Sequence, residues 1–115
     1  MQPHAWIHAF PASITVCDPN GIILEMNEAS DKAFEKYGGH TLIGSNLLDC
    51  HPEPSRSKLK EMLAHQTKNI YTIQKNGEKK IVYQSPWYLD GQYAGFIEMV
   101  LPLPAEMPHF NRDKG

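Results

Sequence analysis

The sequence predicts one α+β domain: two strands, a helical middle and three further strands in an antiparallel meander. Three observations carry this. Runs rich in β-branched and aromatic residues flank turn-forming segments at Asp18-Pro19-Asn20-Gly21, Asn76-Gly77 and Asp90-Gly91. Apolar residues recur at helical spacing only in the stretch between the first turn and the second. The 115 residues, 41% hydrophobic and 21% charged, suffice for one core and are too few for two domains of ordinary size.

In chain order, Ile14 to Cys17 and Ile22 to Met26 pair across the first turn, where Pro19 presets φ and Gly21 accepts φ > 0. Asn27 caps a helix predicted over 28–37, with Ala29, Ala33, Phe34 and Tyr37 at helical spacing and Gly38-Gly39 as its left-handed stop. Ser45 to Cys50 reads as one short helical turn. Pro52 and Pro54 then break the chain before a second amphipathic stretch, in which Leu59, Met62 and Leu63 share a face while Arg56, Lys58, Lys60 and Glu61 stay in water. Ile70 to Gln74, Lys80 to Leu89 and Tyr93 to Leu101 alternate around the last two turns. Pro86 cannot donate to a ladder, but if Lys75 faces Glu78 it falls opposite Thr67, beyond the third strand. The expected organisation is an N-terminal segment over 1–11, the domain over 12–102, and an extended Pro-rich tail over 103–115.

The composition excludes several function classes. With 13 acidic and 11 basic side chains and a formal charge of −2, no broad basic field exists for nucleic acid or anionic lipid. No run approaches the ~20 apolar residues that span a bilayer, and the N-terminus lacks the features of a signal peptide, so a cytoplasmic location is expected. Cys17 and Cys50 are too few for a disulfide scaffold and too isolated for a structural zinc site; both are expected as reduced thiols. Of the histidines, only His4 and His8 have a metal-ligand spacing, and in a terminal segment it is read as incidental, so no metal site is assigned.

The spacing Asp18-x-x-Gly21-x-Ile23-x-x-x-Asn27, followed by the helix and Gly38, resembles the opening of a PAS domain, the small sensor module of signalling proteins. Leu47-Leu48-Asp49-Cys50-His51-Pro52 resembles the short helix and His-Pro step before the family's long connecting helix. Gly91-x-Tyr93-x-Gly95 with Glu98 resembles its final hairpin. The resemblance covers about residues 10 to 102. It implies a five-stranded antiparallel sheet in the order 2-1-5-4-3 with helices packed on one face, and a non-enzymatic sensory or interaction role.

The resemblance also implies where a ligand would lie, between the helices and the inner sheet face, at Phe34, Tyr37, Leu47, Met62, Leu63, Val82, Ile97 and Met99. These residues suit a small, largely apolar ligand, since a sugar or nucleotide demands several convergent polar groups. A filled core that acts through a signalling protein partner is the other reading. Haem is the alternative cofactor, with His51 or His65 as axial imidazole and Met62 or Met99 as a soft sixth ligand. Flavin adduct chemistry is not expected, because the family's photosensors place a reactive cysteine directly after an asparagine and here Asn46 is followed by Leu47. The cofactor is otherwise unassigned. A small α+β enzyme ranks third: Asp18, Glu25, Asp49 and Glu98 are candidate acids, yet no nucleophile and base are grouped to work with them.

With the turns taken as two-residue loops, Tyr71, Ile73, Val82, Ile97, Met99 and Leu101 share one sheet face. Ile70, Ile81, Tyr83, Trp87, Phe96 and Val100 share the other. An antiparallel sheet normally leaves one face wet. The apolar second face therefore predicts a cover, either the N-terminal segment with Trp6, Ile7 and Phe10 or a second subunit. The homodimer interface is then expected at Trp6, Phe10, Tyr83, Trp87 and Phe96, unless bulges mix the faces. A simpler expectation concerns the first turn: Gly21→Val strains the backbone and lowers stability by about 1 kcal/mol or more. Thermal melts that do not shift would mean that the hairpin is misplaced.

Overall fold

The computed structural model describes residues 3–114. A short helix α1 (Ala5–His8) leads to β1 (Ser13–Cys17) and β2 (Ile23–Met26); α2 (Glu28–Ala33) and α3 (Ser55–His65) follow, and β3 (Asn69–Lys75), β4 (Glu78–Leu89) and β5 (Gln92–Leu103) close the chain. The five strands form one antiparallel sheet in the order β2-β1-β5-β4-β3, as expected.

The first turn forms because the Asp18 carboxylate accepts from the amides of Asn20 and Ile22, both at 2.9 Å, while Gly21 takes φ +89°. A side chain at Gly21 would also meet Asn46 Oδ1 at 2.9 Å. The turn is thus packed on the segment that follows α2. Leu47 donates to the Gly21 carbonyl at 2.8 Å, and Ile23 donates to the Ser45 carbonyl at 2.9 Å.

Asn27 does more than cap a helix. Its Oδ1 accepts from Ser30 at 3.0 Å and from the Ile14 amide at 2.9 Å, and its Nδ2 donates to the carbonyls of Ala12 and Ile7. One buried side chain therefore joins α2, β1 and the N-terminal segment. The expected helix over 28–37 is shorter than its spacing suggested. It ends at Ala33, Phe34 leaves helical geometry, and Glu35–Tyr37 form a separate 3₁₀ turn. The inward residue is Ser30, bonded to Thr15 through their hydroxyls at 2.6 Å, while Tyr37 is exposed.

Leu47–Cys50 make one 3₁₀ turn capped by Asn46, whose side chain accepts from Leu48. The Glu53 carboxylate accepts from the Ser57 amide at 2.8 Å and the Ser57 hydroxyl at 2.6 Å, supplying acceptors to the first turn of α3. Met62 and Leu63 are buried, and the Tyr93 hydroxyl donates to the Leu63 carbonyl at 2.9 Å, tying the end of α3 to β5.

The β3–β4 hairpin has the expected register, Lys75 opposite Glu78 and Asn69 opposite Gln84, so Pro86 lies beyond β3. The β4–β5 hairpin departs from it. Leu89 faces Gln92 and Tyr88 faces Tyr93, but Trp87 faces Gly95: Ala94 is an extra residue in β5, and Gly95 sits at φ +135°. This bulge moves every later residue of β5 to the opposite face from the one expected, because side chains alternate with period two. Val100, not Met99, stands opposite Val82, and Tyr83 faces Met99. Phe96 and Val100 therefore point inward, while Ile97, Met99 and Leu101 join Ile81 and Tyr83 outside. β5 also runs two residues further than expected, to Leu103.

The core cluster is Cys17, Met62, Leu63 and Phe96, with Leu47, Leu48, Leu59 and Tyr93 packed against it. Phe96, expected at a dimer interface, is thus a core residue, 4% exposed. A Cβ at Gly95 would collide with the Cys17 carbonyl of the neighbouring strand. Gly95→Ala is therefore expected to lower stability by about 1–3 kcal/mol or more, measured by urea unfolding; an unchanged midpoint would contradict the bulge.

Candidate functional site

The 3₁₀ turn after Asn46 and α3 form a helical layer over the sheet: Leu47, Leu48 and Leu59 pack against the core, and the end of α3 is tied to β5 through Leu63 and Tyr93. Between them lies a cavity of about 370 Å³. That is within the range of small-molecule sites, at its lower end. Its helical wall includes Phe34, Leu47, His51, Leu59 and Met62, and Lys58 and Ser55 border it from exposed positions on α3. The sheet supplies Thr15 and Cys17 from β1, Asn69 and Tyr71 from β3, Gln84 from β4, and Phe96 and Glu98 from β5.

The floor is a row of three polar side chains at matched cross-strand positions. Asn69 Nδ2 donates to Gln84 Oε1 at 3.0 Å, and Gln84 Nε2 donates to Glu98 Oε2 at 2.7 Å. Thr15 stands opposite Glu98 on the other side. The carboxylate leaves its mark on its neighbours. Burial, and after it the charge of Glu98, raise the Tyr71 phenol above its ordinary value. Burial is also the main cause that pushes the Cys17 thiol up, with the charges of Asp18 and Glu98 adding to it. Cys17 is therefore a protonated, poorly nucleophilic group at neutral pH. On the opposite wall, His51 Nδ1 lies 2.8 Å from the Leu47 carbonyl. A carbonyl only accepts, so Nδ1 carries the proton and the ring is held in one orientation.

Of the positions expected to contact a ligand, Phe34, Leu47 and Met62 line the cavity. Leu63 and Val82 are buried beside it in the core, and Tyr37 is 59% exposed and away from it. Ile97 borders the cavity through its place between Phe96 and Glu98, although the register turns its side chain outward, and Met99 lies on the outer face. Of the two candidate axial histidines, His51 is at the cavity and His65 is exposed at the end of α3. Trp6, Phe10 and Tyr83 are exposed and Trp87 is half-buried. The polar floor was missed because the unbulged register sends Glu98 to the outer face. The glycine at position 95 was the available signal, since an isolated glycine within a strand marks a bulge or a close backbone approach.

The sequence profile of the PAS fold family matches residues 7–74, more than half of the chain. A sequence comparison with curated proteins finds no match. Solved structures are similar at low identity. A C-terminal domain from Streptococcus mutans superposes with a TM-score of 0.68 at 22% identity, over 88% of this chain and 82% of that one. The PAS domain of Bordetella pertussis BvgS gives 0.60 at 18%, over 88% and 83% of the two chains. The Aer2 receptor of Vibrio cholerae, described as a dual PAS-heme oxygen sensor, gives 0.53 at 18%, over 81% and 95%. At these identities the likeness is one of fold. Among the described residues, no helix is long and apolar enough to cross a membrane.

The raised thiol and phenol values have a pH consequence. Each group is held neutral in the folded state, so its contribution to stability is full below its ordinary pKa and is lost as pH rises from there toward the raised value. The melting temperature is expected to fall as pH rises through the thiol range, and Cys17→Ala to flatten the first part of that fall. A variant with the wild-type slope would contradict the assignment.

Proposed function

The chain belongs to the PAS fold family, whose members are generally sensory, non-catalytic modules; from that premise we propose that it is a sensor domain that takes a small, largely apolar ligand into the cavity between α3 and the sheet. The observation that carries this is the cavity itself. Phe34, Leu47, Leu59, Met62 and Phe96 offer apolar contact, while the Asn69–Gln84–Glu98 row gives an entering molecule one polar end to satisfy. Ligand sites combine these two features. Because Leu47 is bonded to Gly21 and α3 is bonded to β5 through Tyr93, a molecule pressing on the helical wall reaches both the first hairpin and the last strand.

Haem is the weaker reading. His51 would be the axial ligand and would supply an imidazole already oriented by Leu47. The cavity floor, however, presents a carboxylate and two amides where haem needs an apolar pocket, and neither His65 nor Met99 is available on the other side.

The outer sheet face is proposed as the surface that meets a second copy of this chain. Ile70 is 48% and Tyr83 37% exposed, and Ile81, Ile97, Met99 and Leu101 continue the patch across β4 and β5. No charged residue falls among these positions, so two copies can meet there without like-charge repulsion. Tyr83→Glu is expected to shift sedimentation toward monomer; a wild-type monomer at high micromolar concentration would overturn the dimer.

For the ligand site, thermal-shift screening against apolar acids, aromatics and haem is decisive when paired with Leu59→Trp. The added indole is expected to abolish ligand-induced melting shifts while leaving the fold intact. Shifts that survive the substitution would place the site elsewhere. An intense Soret band lost in His51→Ala would favour haem.

A further inference from the structure

Resting on the ligand-binding role proposed above, we infer that the ligand is a small monoamine whose protonated nitrogen is received by Glu98. The polar floor has a direction. Asn69 donates to Gln84, and this fixes the Gln84 amide with its Nε2 toward Glu98, so the row ends on a group that only accepts. Gln84 occupies Oε2 alone. Thr15, which faces Glu98 from β1, has its hydroxyl paired with that of Ser30 at 2.6 Å. Among the described residues, the only ion pair is the surface contact of His40 with Asp31, so no protein cation stands within bonding distance of Glu98.

A half-buried carboxylate with spare acceptor capacity and no cation favours a ligand that brings one. A charge-assisted hydrogen bond is stronger than a neutral one, and it gains further where the walls exclude water. The remainder of the ligand is largely apolar, because Leu47, Leu59, Met62, Phe34 and Phe96 line the space beyond the floor, with His51, Ser55 and Lys58 as the polar groups of the helical side. It must also be short, since the volume is about 370 Å³. Lys58 borders the cavity from the exposed side of α3. A second ammonium reaching that end would meet like charge, so a diamine is disfavoured relative to a monoamine.

Three probes of one shape make the test: phenethylamine, 2-phenylethanol and 3-phenylpropionate, titrated calorimetrically into the intact protein. Phenethylamine is expected to bind at least about tenfold more tightly than the other two, and Glu98→Gln is expected to remove that preference while 2-phenylethanol binds as before. An unchanged melting temperature of Glu98→Gln, together with its undiminished binding of 2-phenylethanol, separates loss of charge from loss of fold. If the alcohol or the acid binds as tightly as the amine, the amine inference falls and the ligand site stands. If none of the three binds, both fall. A preference for amine unchanged in Glu98→Gln would also overturn the assignment.

Discussion

The extra residue at Ala94-Gly95 decides which side of β5 faces the helices, and with it the chemistry of the interior. A two-residue hairpin at Asp90-Gly91 begins the strand in one register, and the bulge ends it in another. Only glycine fits at the second bulge position, where the backbone is left-handed in φ and the Cys17 carbonyl of β1 approaches closely. Downstream of that point Phe96 enters the core and Glu98 comes into line with Gln84 and Asn69. Without the bulge the inner face would carry Ile97 and Met99, an apolar floor with no polar end.

The remaining architecture holds the helical wall at a distance from this floor. Asn27 fixes α2 to β1 through its Oδ1, which accepts from both Ser30 and Ile14, and the Asp18 turn fixes the 45–48 segment through Gly21 and Asn46. The far end of α3 is drawn down onto the sheet by Leu63 and Tyr93. The near end follows Pro52 and Pro54 and is anchored locally by Glu53 and Ser57. The cavity lies between this helical wall and the floor. Interiors are otherwise close-packed, and it is this space beside the polar row that the proposed ligand would fill.

Much of this was legible in the sequence, for identifiable reasons. Asp18-x-x-Gly21 and Asn76-Gly77 carry their turn geometry in local chemistry, so both hairpins, the five strands and the β3–β4 register follow from residue type alone, and Pro86 confirms the register by where it falls. Asn27 was legible as a helix cap but not as the hub of three elements, because its bonds to Ile7, Ala12 and Ile14 are set by tertiary approach. The length of α2 was overread: Ala33, Phe34 and Tyr37 keep helical spacing, while Phe34 breaks the helix and the chain turns. The floor of the site was illegible for a different reason. Glu98 looks like an interruption in an apolar strand, and its role depends on a one-residue register shift that side-chain periodicity averages over.

Both the bulge and the cavity can be read from two methyl groups. Met62 lines the cavity, and Met99 lies on the opposite face of the sheet because of the register shift. In protein labelled with ¹³C at the methionine methyls, a xenon titration is expected to move the Met62 signal progressively and leave Met99 in place, since xenon enters apolar voids in proteins. Movement of Met99 together with Met62 would restore the unbulged register, and a stationary Met62 would remove the site.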